Sequence, residues 1–161
     1  MAGINTELDI LVEVMEKKEK LLKELLSDTK KQEALLNEEF FDMEAFDEII
    51  SNKQEKIDQV NTLDDGFKMT YEKIHLQLGA DKDLYKDYIT AMKEKIVVIG
   101  ELGVEIMVQE EKNKVKFLIA AKNEKNKMKD FRKSKQTVAN YYSNMNNQKN
   151  PERSYFFDKK K

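Results

Sequence analysis

The sequence predicts an all-α protein: an elongated antiparallel bundle of three long, coiled-coil-like helices followed by a flexible tail. Two observations predict it. The 161 residues contain one proline (Pro151) and five glycines, while 37% are Asp, Glu, Lys or Arg. Apolar residues recur at three- and four-residue steps from Leu8 almost to the C-terminus, the period of an amphipathic helix. With this much charge, the buried surface should be a narrow seam rather than a thick core.

The first helix is expected over about 6–38, opened by Asn5 or Thr6 as cap, with Glu7 and Asp9 in its first turn. Leu8, Leu11, Met15, Leu22, Leu25 and Leu36 share one seven-residue repeat, with Lys18, Thr29 and Gln32 as polar breaks. The acidic and aromatic stretch 37–46 reads as a reversal. Asp42 can cap a second helix over about 43–78, although Ala45 replaces the usual glutamate of a capping box. Its seam runs Phe46, Ile50, Ile57, Val60, Phe67, Tyr71, Ile74 and Leu78, and Gly79 reads as the stop. Short connections make neighbouring helices antiparallel.

A third helix is expected over about 84–144, with Tyr85, Ile89, Met92, Ile96, Ile99 and Ile106 as its first stripe. Gly100 and Gly103 suggest a close helix approach or a small bend. The pattern shifts near 110–114 and resumes with Val115, Leu118 and Ile119. A last stripe runs Met128, Phe131, Val138, Tyr142 and Met145, with Tyr141 beside it. Unbroken, this helix would be roughly 90 Å long, against about 50–55 Å for each of the first two. Its far end should therefore project or bend back, carrying an apolar stripe with no obvious partner inside the chain. Residues 1–145 read as one helical domain and 146–161 as an aromatic and basic tail containing Tyr155, Phe156 and Phe157.

Several function classes are disfavoured. The 29 basic and 31 acidic residues nearly cancel, unlike the basic excess of most nucleic-acid-binding domains. The cluster Lys122–Lys135 is compensated elsewhere and reads as a solvated face. No apolar run approaches the ~20 residues of a membrane span, and the N-terminus lacks the pattern of a signal peptide. A soluble cytoplasmic protein is the simplest expectation. Cysteine is absent, which removes thiol chemistry and Cys-ligated zinc. The single His75 forms a Glu-x-x-His unit with Glu72, but a di-iron bundle needs two such units. No phosphate-binding loop is present. The pairs Glu38-Glu39, Asp64-Asp65 and Glu110-Glu111 point about 100° apart on a helix and read as solvated. No enzyme, cofactor or metal is expected. A binding protein is, and the stripe ending at Met145 suits an amphipathic helical partner.

The layout resembles the flagellar export chaperones of the FlgN type (the FlgN/FliT group). The likeness rests on the leucine-rich first helix, the short acidic turn and the phrase Ile49-Ile-Ser-Asn-Lys-Gln-Glu-Lys-Ile57. It also rests on the ending Ala139-Asn-Tyr-Tyr-Ser-Asn-Met145 with Ser154-Tyr-Phe-Phe-Asp-Lys-Lys-Lys161, which looks like tails of clostridial type. The resemblance implies a cytoplasmic chaperone for flagellar type III export. It would hold hook-associated (junction) proteins by their amphipathic C-terminal segments and pass them to the export apparatus. Export-gate or export-ATPase components are then further candidate partners. Carried onto this chain, the implied partner-binding residues are Val138, Tyr141, Tyr142 and Met145, extended by Met128 and Phe131. The alternatives are a filament-cap (FliT-type) chaperone and a structural coiled coil, with a homodimer formed through the same stripe.

Overall fold

A computed structural model describes residues 3–123 and 136–145, and these are helical apart from the connections. Three long helices run α1 (Asn5–Leu36), α2 (Met43–Ala80) and α3 (Lys86–Asn123), and residues 136–145 form a further helical segment, α4. Helix α1 packs closely against both α2 and α3, whose own backbones stay farther apart.

Polar cross-links give the directions. Along α1, Lys18, Asp28 and Gln32 meet Asp64, Lys56 and Lys53 of α2 in descending order. Asp9, Glu19 and Glu33 meet Tyr88, Lys95 and Lys116 of α3 in ascending order. Helix α2 is thus antiparallel to α1, and α3 is parallel to it.

The start of α1 is not capped by Asn5 or Thr6. Ile4 occupies the cap position without any side-chain hydrogen bond; its burial in the core anchors this end instead. The cap of α2 is the expected one: the Asp42 carboxylate accepts from the Ala45 backbone N–H at 3.0 Å. Such caps typically contribute about 1 kcal/mol. Gly79 is not the stop, because α2 continues through Ala80 and no described glycine has positive φ. The polypeptide turns over Asp81–Tyr85, and buried Tyr85 closes the turn against the core. Helix α3 passes through Gly100 and Gly103. A Cβ at Gly103 would meet nothing within 4 Å, so no close helix approach explains that glycine.

The largest correction concerns the third helix. One straight helix through residues 110 and 141 would separate them by about 46 Å. Instead, the Tyr141 hydroxyl lies 2.6 Å from the Glu110 carboxylate. Helix α4 folds back between α2 and α3, antiparallel to α3: Tyr141 meets Glu110, and Met145 packs beside Ile106. The expected single straight helix over 84–144 is therefore not what the chain forms.

The core is layered. One apolar cluster at the open end of α1 joins Leu8, Leu11 and Met15 to Phe67, Ile74, Leu78, Tyr85, Met92 and Ile99. A small middle cluster holds Leu25, Val60 and Ile106. A third, beside the α1–α2 reversal, holds Phe46, Ile50, Phe117, Val138, Tyr141 and Tyr142. Polar layers separate them. Between the first two, Lys18 Nζ donates to Asp64 at 2.7 Å with both side chains largely buried. Burial lowers the Lys18 pKa and raises that of Asp64, in each case against the attraction of its partner. Desolvation therefore outweighs pairing at this layer.

Candidate functional site

The second polar layer and α4 form the most unusual place in the molecule. Lys53 of α2 is fully enclosed, as are Thr29 and Gln32 of α1 and Asn113 of α3; Glu110 of α3 is 3% exposed. All five sit at seam positions. In α1 the alternating four- and three-residue steps run 8, 11, 15, 18, 22, 25, 29, 32. In α2 they run 46, 50, 53, 57, 60, 64, 67, and in α3 99, 103, 106, 110, 113, 117. Each polar residue thus faces the bundle axis by periodicity alone. The polar breaks Lys18, Thr29 and Gln32 are buried, and so is Glu110, which is therefore not on a solvated face, whereas its neighbour Glu111 is exposed. Nor does the α3 pattern shift at 110–114. Phe117 carries the core stripe, while Val115, Leu118 and Ile119 point outward.

Lys53 Nζ donates to Gln32 Oε1 at 2.6 Å and to Glu110 Oε1. It also lies 4.5 Å from the centre of the Tyr141 ring, a cation–π distance. The Tyr141 hydroxyl donates to the same Glu110 oxygen. The Thr29 hydroxyl is 2.6 Å from the Leu25 carbonyl, its nearer acceptor, and 3.2 Å from Glu110 Oε1. Asn113 Nδ2 donates to the Thr29 carbonyl at 2.8 Å, and Gln109 Nε2 donates to Asn113 Oδ1 at 3.0 Å. Glu110 Oε2, Gln32 Nε2 and the Tyr142 hydroxyl are buried without a hydrogen-bond partner. The four described helices therefore meet on one carboxylate and one ammonium.

Burial lowers the Lys53 pKa, opposed first by Glu110 and then by Asp28. Burial also raises the Tyr141 phenol well above its usual 10.0, reinforced by Glu110, and raises Tyr142 for the same two reasons. A group whose folded pKa is raised contributes stability fully present below its unfolded value and lost as pH climbs past it. Lys53 acts oppositely, favouring the fold as pH rises toward 10.5, and contributes nothing further beyond that. Above pH 10 the tyrosines thus favour unfolding. We expect the wild type to lose helicity in alkali and the variant with Tyr141→Phe and Tyr142→Phe to lose less, read by circular dichroism. Parallel curves would refute the buried-phenol assignment.

The candidate partner-binding residues divide as follows. Met128 and Phe131 lie outside the described residues, as do Tyr155, Phe156, Phe157 and the rest of 146–161. Val138, Tyr141 and Tyr142 are buried, and Met145 is half-buried. The stripe expected to lack an intramolecular partner has one: it packs on Phe46 and Ile50 of α2 and on Phe117 of α3, with Ala121 and Ile57 at its margins. His75 is exposed and stacks on Tyr71 at 5.7 Å. Among the described residues no group of three His, Cys, Asp or Glu could hold a metal, and no helix is long and apolar enough to cross a membrane.

The docked α4 fills a groove between α2 and α3 of its own chain. An amphipathic helical segment inserts its apolar face between α2 and α3, and one phenol is read by one buried carboxylate. Sequence reasoning found the stripe but missed its acceptor. The available signal was Lys53 and Glu110 of opposite charge at core positions of two different seams. No protein-family model, curated protein or solved structure matches the chain.

Proposed function

We propose that this protein is a non-enzymatic chaperone of the flagellar type III export pathway, in the manner of the FlgN/FliT group. It would bind amphipathic C-terminal segments of hook-associated junction proteins in the cytoplasm, keep them from assembling early and deliver them to the export apparatus. The observation that carries the reading is the groove between α2 and α3, which accepts an amphipathic helix by its apolar face. A client helix of similar pattern has the same chemistry to offer. Because Val138, Tyr141 and Tyr142 are packed inside, capture requires exchange: α4 leaves its groove, and the client takes either the vacated groove or the freed stripe. Exchange of one apolar helix for another needs no nucleotide.

The test is calorimetric titration of the full chain with C-terminal peptides of the junction and filament-cap proteins from the same genome. One-to-one micromolar binding to a junction peptide is expected; tighter binding to the cap peptide would reassign the client. Replacing Val138, Tyr142 and Met145 together with serine should then change affinity at least ~10-fold, about 1.4 kcal/mol. Loss of affinity places the client on the stripe, and gain places it in the groove. Unchanged affinity refutes the site, and binding of no peptide refutes the function.

A further inference from the structure

Among the described residues, helix α3 carries a second apolar stripe that belongs to none of the core clusters. Val97, Val104, Val108, Val115, Leu118 and Ile119 are each between 52% and 55% exposed. At 100° per residue the four valines fall within about 20° of one line. That line lies opposite the core stripe of Ile99, Ile106, Asn113 and Phe117. Valine is a weaker helix former than the Lys, Glu or Ala that usually fill exposed positions, so helix propensity does not account for four of them in register. They fit the seven-residue repeat 97, 101, 104, 108, 111, 115, 118, in which Glu101 and Glu111 take the remaining seam positions. The stripe from 97 to 119 is about 33 Å long, the kind of contiguous apolar surface that marks an interaction site.

We propose that this face pairs with the same face of a second copy, antiparallel, with the two-fold axis between Val108 and Glu111. The charges select that occupant and that direction. The exposed edge of the stripe carries Glu105 in its first half and Lys112 in its second. A parallel, in-register pair would set Glu101 against Glu101 and Glu111 against Glu111. Antiparallel pairing sets Val104 opposite Val115 of the second copy, Glu101 opposite Leu118 and Glu111 opposite Val108. It also brings Glu105 beside Lys112 of the second copy, twice by symmetry. Flanking charges set partner and orientation in this way in coiled coils, and polar residues within a seam set register at some cost in stability. The surface is separate from the stripe of α4 and does not rest on the chaperone reading.

Sedimentation equilibrium on the full chain tests it across low to high micromolar concentration. Mass should rise from one chain to two. Val104→Glu with Val115→Glu should leave a helical monomer, since both positions are solvent-facing. Glu105→Lys or Lys112→Glu alone should weaken the dimer at least ~10-fold, and the two together should restore it. The chain has no cysteine, so direction can be read by oxidation. A mixture of Val104→Cys and Val115→Cys chains should cross-link, because a disulfide needs Cα atoms about 4.4–6.8 Å apart; Val104→Cys alone should not. A monomer at every concentration, a dimer indifferent to the glutamate substitutions, or efficient 104–104 cross-linking would each overturn the proposal.

Discussion

Replacing Lys53 with methionine is expected to cost about 3–5 kcal/mol, the range for removing one partner of a buried ion pair. The substitution leaves the Glu110 carboxylate enclosed with only hydroxyl donors, and leaves Gln32 Oε1 without the ammonium that it accepts from. The decisive comparison is the set of combined variants. Lys53→Met with Glu110→Leu removes both charges and should recover most of the loss, because the pair's attraction does little more than offset its desolvation. The Tyr141 hydroxyl then lacks its acceptor, at about 1–3 kcal/mol, so adding Tyr141→Phe should recover more. Urea unfolding with an unchanged slope measures each step. A loss below about 1 kcal/mol for Lys53→Met, where surface ion pairs fall, would mean that this layer is not a buried ion pair.

Phe46→Ala is expected to cost a similar amount, about 3–5 kcal/mol for a large aromatic removed from a packed core. Phe46 is fully buried. Its ring stacks on Phe117 at 5.4 Å and meets Phe41 edge-on at 5.4 Å. It therefore ties the reversal, α2, α3 and α4 together at one point. The consequence should be local as well as global: amide exchange over 136–145 should quicken, because the floor of the α4 groove has been removed. Ile74→Ala, equally deep in the cluster at the other end, supplies the control. It should lower stability without a selective effect on 136–145. Equal exchange in the two variants would show that α4 does not depend on this groove.

The long helices and their inward faces were legible because the seven-residue repeat is a local property: which face a side chain takes depends only on its spacing along the helix. Leu8, Leu11, Met15, Phe46, Phe67, Ile74, Met92 and Ile106 are core by that rule and core in the structure. The cap at Asp42 is local for the same reason, since its carboxylate reaches a backbone group three residues on. Ile4 in place of Asn5 or Thr6, and Ala80 in place of Gly79, show how weakly local signals define an end when burial of a neighbouring side chain is available.

The site depended on something periodicity does not encode. Lys53, Glu110, Thr29 and Gln32 each interrupt an apolar seam, and read singly each looks like a defect or a solvated position. Only the antiparallel register of α2 against α1, and the parallel register of α3, bring them to one level where their charges meet. The stripe at Val138, Tyr141, Tyr142 and Met145 was visible in one dimension, but its partner was a groove made by two other helices. The sequence by itself determined that this protein is helical, which faces those helices bury and that one further stripe needs a partner. Tertiary structure alone decided that the stripe folds back on its own chain, because the groove and the buried carboxylate that receive it exist only once α1, α2 and α3 have packed.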